Sequence, residues 1–269
     1  IVPIATTRDT AGPMARRVED LALLDTVVTG DETPATPLPL RGVRLGIPSA
    51  YFWEDLDPET ERLSRRVLAM LGDAGVELVE ASMPDLEALN EAASGPLAWF
   101  EPRRDIGAYL KRAGLDLRFE DVVAKVASPD VAGMMHAMTG AATAIPEGAY
   151  RAAINVHRPR FIEAYRAHFA RHGIDALIFP TTPLPARPIG EDQTVELNGR
   201  RVPTFFTYIR NTDPGSVAGL PGISLPIGLT SQGLPVGIAL DGLPGADRRL
   251  LALGAAMEAL FPAMPAPKL

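Results

Sequence analysis

The chain has 269 residues, 46% of them hydrophobic, which is enough to bury a sizeable core as one large domain or two modest ones. Its net charge is −7 and its basic residues are scattered, almost all Arg with Lys only at 111, 125 and 268, which argues against nucleic-acid binding through clustered phosphate contacts. The absence of cysteine excludes disulfides, thiol catalysis and cysteine metal sites; no apolar run reaches the roughly 20 residues that span a bilayer, and no signal peptide opens the chain, so a cytoplasmic protein without membrane contact is expected.

Ile1 to Ile4 reads as the end of a strand or a loop entering the fold, and Thr10 to Met14 as a turn. A helix is expected over Ala15 to Thr29, with Glu19 and Asp20 where the dipole favours acids, an apolar stripe of Val18, Leu21, Ala22 and Val28, and Gly30 as its stop. Asp31 to Leu40 is a proline-bearing surface connection. Val43 to Pro48 reads as a strand. Asp57 is placed to cap a helix whose first position is Pro58. Leu63, Val67, Met70, Leu71 and Ala74 then recur at the helical period, and Gly75 closes the helix before a second strand at Val76 to Val79. Strand, helix and strand at this spacing make a βαβ unit, so part of the sheet should be parallel.

From Asp85 to Phe169 the pattern is mainly helical, in segments near Leu86 to Phe100, Asp105 to Ala113, Phe119 to Ala127 and Ala132 to Thr139, separated by Pro or Gly. Glu147 to Arg171 is the longest, with Tyr150, Ile154, His157, Phe161 and Tyr165 on one face, and Pro159 should kink or divide it. Asp175 to Phe179 is an apolar strand ending in Pro180. Further on, Ile223 to Ile227 and Leu234 to Leu240 read as two strands joined at Thr230 to Gly233. Pro221, Pro226 and Pro235 cannot donate to a ladder and belong at strand ends or on an edge. A final helix runs from about Asp247 to Leu260 with Leu250, Leu253, Met257 and Leu260 inward. The sum is α/β, a mixed β-sheet covered by helices, with a mainly helical insertion at about 85–172.

Asn211 to Gly222 is too rich in Gly and Pro for a helix yet too apolar for an ordinary solvated loop, which leaves a ligand-approaching segment or a buried connection. His168 and His172 have metal-chelating spacing, but Phe169 stands where a zincin would carry Glu, so a solvated helix face is the better account and no metal is expected. Ser216 in PGSVAG lacks the Gly that a nucleophile elbow has two residues earlier, Pro214 being there instead. Lys111 and Lys125 lie on charged helical stretches and Lys268 in the tail, poor places for an activated amine. Glu19/Asp20 and Glu191/Asp192 are adjacent pairs that do not converge on one reacting atom, and Gly215, Gly219 and Gly222 do not form a phosphate cradle.

A pocket is the remaining chemistry. Thr181 and Thr182 follow the strand that ends at Pro180, and ligands of open α/β sheets favour the carboxyl ends of strands. Phe205, Phe206 and Tyr208 precede Asn211 and Thr212. Aromatic walls with a few polar groups suit an aryl amide, although each ring is equally at home in a core.

Three blocks carry a resemblance. RNTDPGSVAGLPGISLPIG (Arg210 to Gly228), with GLPVG (Gly233 to Gly237) and LDGLPGADRRLLALG (Leu240 to Gly254) after it, is similar to the carboxyl-terminal core of amidase-signature hydrolases, and to the branch that acts on indoleacetamide and mandelamide. DTAGPMARRVEDLALLDTVVTG (Asp9 to Gly30) and DALIFPTTPLPA (Asp175 to Ala186) resemble two further blocks of the family, in the family's order. The resemblance implies a central mixed sheet covered by helices, and hydrolysis of a small carboxamide to acid and ammonia without a cofactor. It also implies that the downstream region holding Thr181, Thr182, Phe205, Phe206, Tyr208, Asn211 and Thr212 lines the acyl side of the site.

The family's catalytic Lys, second Ser and nucleophilic Ser belong to a Gly/Ser-rich segment that nothing in this chain matches, and the chain opens at Ile1 without Met. The expectation is a carboxyl-terminal portion of one amidase domain, residues 1–269, inactive alone. Open strand edges left by such a truncation tend to associate, so a homodimer is compatible with it. Two other readings stay open at this point: an amidotransferase subunit acting on charged tRNA, and a non-catalytic structural or binding module.

Overall fold

The computed structural model describes residues 1–140 and 142–266, and Lys268 lies outside them. In chain order it contains α1 (Val18–Thr29), β1 (Arg44–Ile47), the short turn α2 (Ser49–Phe52), α3 (Pro58–Asp73), β2 (Glu77–Glu80) and α4 (Leu86–Arg112). Next come α5 (Phe119–Val123), α6 (Pro129–Thr139), α7 (Glu147–Ala152), a π-helical turn (Ala153–His157), α8 (Arg158–His172) and β3 (Ala176–Pro180). The chain closes with β4 (Thr194–Leu197), β5 (Arg200–Pro203), α9 (Thr204–Ile209), α10 (Asp213–Ala218), β6 (Gly222–Leu229), β7 (Pro235–Asp241) and α11 (Asp247–Glu258).

Five strands form one sheet in the order β2-β1-β3-β7-β6. β1 pairs parallel with both β2 and β3, while β7 runs antiparallel to β3 and β6, so the sheet is mixed. The βαβ reading of residues 43–79 is thereby met. Asp57 caps α3 by accepting from the amides of Glu59 and Thr60, with Pro58 in the first turn. The α3 positions Leu63, Val67 and Leu71 are buried, as their spacing requires. β3 is buried along its whole length, and Phe179 meets Phe52 with ring centroids 4.4 Å apart. Pro226 lies on the outer strand β6, at a bulge between Pro226 and Gly228. Gly233 closes the β6–β7 turn at φ +78°.

Several local expectations are corrected. Residues 86–112 form one continuous helix despite Pro96 and Pro102. The inward stripe Ala93, Leu97, Ile106 and Leu110, with Asn90, Glu101 and Asp105 also buried, outweighs the roughly 3 kcal/mol that an interior proline costs. Pro159 does divide the long helix, where a π-turn separates α7 from α8. The segment expected to be non-helical holds α10, which has Pro214 in its first turn and the left-handed Gly219 as its stop. Val28 is 84% exposed rather than inward, and Leu260 lies beyond α11 and is 36% exposed. A β4–β5 hairpin turning at Asn198–Gly199 was not anticipated. His168 is buried, not on a solvated face. Burial, with the neighbouring His172, holds its pKa below the ordinary imidazole range. Among the described residues no helix is long and apolar enough to cross a membrane, and no group of three or more His, Asp or Glu converges to hold a metal ion.

Candidate functional site

The carboxyl end of β3 is tied down by two side chains. Trp53 Nε1 donates to the Ile178 carbonyl at 3.1 Å. Asn211, fully buried, donates through Nδ2 to the carbonyls of Phe52 at 3.0 Å and Pro180 at 2.7 Å, while its Oδ1 accepts from Arg210 Nε at 3.1 Å. Each peptide carbonyl freed where the strand stops thus finds a donor, as buried backbone must. Beyond Pro180 the Thr181 hydroxyl lies 2.6 Å from Ser224 Oγ on β6, and Thr182 donates to the Leu184 carbonyl at 2.9 Å.

α9 carries the aromatic group, and its members diverge. Tyr208 packs against Leu184, Val195 and Leu197 and donates to the Pro185 carbonyl at 2.8 Å. Phe205 and Phe206 are 37% and 55% exposed and meet edge-to-face with centroids 5.5 Å apart. Thr212, exposed at the start of α10, donates to the Ile209 carbonyl at 3.2 Å. Of the seven residues singled out in the sequence, Thr181, Thr182 and Asn211 therefore gather at the end of β3. Tyr208 packs on a separate small apolar cluster, and Phe205, Phe206 and Thr212 are exposed.

A cleft of about 370 Å3 opens elsewhere, lined by Ile4, Ala5, Arg8, Asp9, Thr10, Ala98 and Ser216, and none of the seven lines it. Its polar side is a network that joins the first residues to α4 and α10. Arg8 Nη2 pairs with Asp213 Oδ1 at 2.6 Å and reaches Ser216 Oγ at 3.1 Å, while Arg8 Nη1 reaches Ser94 Oγ at 3.3 Å. Asp213 Oδ2 accepts from the buried Asn90 at 2.7 Å. The preceding Thr6 and Thr7 donate to Asp105 and Glu101 of α4, and Tyr150 also donates to Glu101, at 2.8 Å. Burial pushes the Asp105 carboxyl up, but the bonds from Arg104 and Thr6 outweigh it and hold the group below the ordinary carboxylate range.

Tyr51 lies near the Asp213 end of this network without lining the cleft. It takes the left-handed φ of +74°, uncommon for a bulky residue, and its hydroxyl donates to the Arg210 carbonyl at 3.2 Å. Burial, with the Asp213 carboxylate nearby, pushes the Tyr51 hydroxyl up to about 12, so it is a neutral donor at ordinary pH. Sequence reasoning missed Arg8, Asp213 and Tyr51 because their contacts join positions far apart in the chain; Arg8 and Ser216 are 208 residues apart. Of the three, only Asp213 stands inside a family-like block; Arg8 falls one residue before the block that opens at Asp9, and Tyr51 lies in none.

Chemically the network offers fixed charges and hydrogen-bonding groups, without an activated nucleophile. The Ser216 hydroxyl is met by a guanidinium, not by a base that would take its proton, and Lys111 and Lys125 are exposed. Among the described residues no nucleophile is paired with a general base in this cleft.

A family model described as Amidase matches residues 1–251. The indoleacetamide hydrolase of Agrobacterium vitis is 45% identical over 258 residues, covering 96% of this chain and 55% of that protein. The mandelamide hydrolase of Pseudomonas putida is 38% identical over 279 residues, covering 99% of this chain and 53% of that protein. A crystal structure of an amidase superposes with a TM-score of 0.77 at 30% identity, over 97% of this chain and 55% of the other. The chain thus spans about half the length of the curated relatives it matches.

Proposed function

The chain belongs to the amidase family, and from that premise we propose that it forms the carboxyl-side part of a hydrolase that cleaves a small, aryl-bearing carboxamide to acid and ammonia. The observation that carries the reading is the likeness, over nearly the whole chain, to hydrolases named for indoleacetamide and mandelamide, both aryl amides. The exposed edge-to-face pair Phe205 and Phe206 supports it as a wall against which an aryl group packs. In this reading Thr181, Thr182, Tyr208, Asn211 and Thr212 shape the acyl side, Asn211 by fixing the end of β3 rather than by touching substrate.

The chemistry proposed is acyl transfer. An activated Ser attacks the amide carbonyl, oxyanion donors hold the developing charge, ammonia leaves, and water frees the acid. The Lys and two Ser of the family's catalytic set are assigned to sequence outside these 269 residues, so the chain alone should release no ammonia from indoleacetamide or mandelamide. A subunit acting on charged tRNA is the weaker reading, because the net charge is −7 and the basic residues are scattered.

The test is a chimera in which this chain replaces the matched portion of the Agrobacterium vitis enzyme. Ammonia release from indoleacetamide by the folded chimera is expected. A folded chimera that binds the amide but never turns it over would count for a non-catalytic module instead.

A further inference from the structure

The cleft beside the first residues holds a hydroxyl whose bonding is lopsided. Ser216 Oγ accepts from Arg8 Nε at 3.3 Å and from Arg8 Nη2 at 3.1 Å. A hydroxyl has one hydrogen to donate and two lone pairs with which to accept, so both contacts draw on the lone pairs. Among the described residues its own O–H meets no protein acceptor, and Ser216 is exposed in the cleft wall. The guanidinium that polarises it is itself clamped by Asp213 and Ser94, with Asn90 holding the far oxygen of Asp213. A serine that accepts from a fixed cation is a strengthened donor with a set direction.

The rest of the cleft says what would meet that donor. Ile4, Ala5 and Ala98 supply apolar wall, and the volume of about 370 Å3 suits a small molecule. The Arg8 charge is already matched by Asp213, and Asp9 adds a second carboxylate to the lining, where it accepts from the amides of Ile4 at 2.9 Å and Ala5 at 3.0 Å. Among the lining residues and Asp213, one positive charge stands against two negative ones, with Arg158 behind them, bonded to the Val217 carbonyl.

We propose that Ser216, oriented by Arg8, donates a hydrogen bond to the carbonyl oxygen of a neutral, apolar carboxamide seated in this cleft, and that Asp9 and Asp213 disfavour the carboxylate product there. In this arrangement Ser216 holds the carbonyl oxygen, Arg8 positions Ser216, and the two carboxylates separate amide from acid. The inference rests on the amide-hydrolase reading for its ligand class, yet it concerns binding alone and needs no turnover.

The experiment titrates the full 269-residue chain with phenylacetamide and with phenylacetate at pH 7.5, followed by calorimetry or ligand-observed NMR. The amide is expected to bind, and phenylacetate to bind at least about fivefold more weakly. Ser216→Ala should weaken the amide about fivefold, the worth of one neutral hydrogen bond. Ser216→Thr, which keeps the hydroxyl, should restore the affinity, and both variants should melt at the wild-type temperature. Three results would each overturn the proposal: no saturable amide binding by the wild-type chain, equal affinity in Ser216→Ala, or phenylacetate binding as tightly as the amide. An active chimera whose KM ignores Ser216→Ala would remove this inference and leave the amidase reading standing. Binding that depends on Ser216, in a chimera that never releases ammonia, would do the reverse.

Discussion

Asp241 gives the sharpest stability prediction. It ends β7 in the core, where its carboxyl group fills the space beside two glycines. A Cβ on Gly215 would lie 2.5 Å from one of its oxygens, and a Cβ on Gly222 would lie 2.7 Å from the other. Burial alone pushes its pKa from 3.8 up to about 7. Between about pH 4 and pH 7 the folded protein therefore keeps a proton that the unfolded chain has released. Stability contributed by that proton is full below the unfolded pKa, falls as pH rises through this window, and stays lost above it. The shift of about three units, at about 1.36 kcal/mol per unit, sets the loss at about 4 kcal/mol at most. Asp241→Asn keeps the shape and removes the titrating group. Urea unfolding at pH 4.5 and pH 7.5 should show the variant more stable than wild type at pH 7.5, by up to that amount, and much less so at pH 4.5. Equal pH dependence in the two proteins would refute the argument, because nothing else in the pair of proteins differs in titration.

Asn211→Ala should cost about 2–4 kcal/mol in denaturant unfolding, since it strips donors from two buried carbonyls, those of Phe52 and Pro180. A loss under 1 kcal/mol would mean that water reaches the end of β3. Asp57→Ala should cost about 1 kcal/mol through the α3 cap, with a little more from the partly exposed pair with Arg187; an unchanged melting curve would contradict the capping account. Phe206→Ala in the chimera should lower kcat/KM for indoleacetamide relative to propionamide. An unchanged ratio would take Phe206 out of the acyl wall.

What the sequence made legible was local. Asp57 and Pro58 announced α3, the period of Leu63, Val67 and Leu71 gave its buried face, and Pro226 foretold an edge strand. Two further elements also carry local signals: Asn198–Gly199 is a strong hairpin pair, and Pro214 with Gly219 bracket α10 as start and stop. The continuity of α4 through Pro96 and Pro102 was not legible, because it follows from the burial of a stripe against elements distant in the chain. The site divides in the same way. Thr181 and Thr182 could be placed at the end of β3 from the strand alone, whereas Asn211, 31 residues beyond Pro180, could not. The Arg8–Asp213–Ser216 network could not, since it depends on residues 4–10 returning to α10, which no periodicity encodes. His168 was misjudged for the same reason: its exposure is set by packing that a helical wheel of α8 does not contain.

The central claim is that these residues form the acyl side of an arylacetamide hydrolase. The most direct measurement is ammonia release by the chimera that joins this chain to the remaining portion of the Agrobacterium vitis enzyme, with indoleacetamide and propionamide compared. The account predicts turnover with a clear preference for indoleacetamide. A folded chimera that turns over both amides equally, or neither, would contradict it.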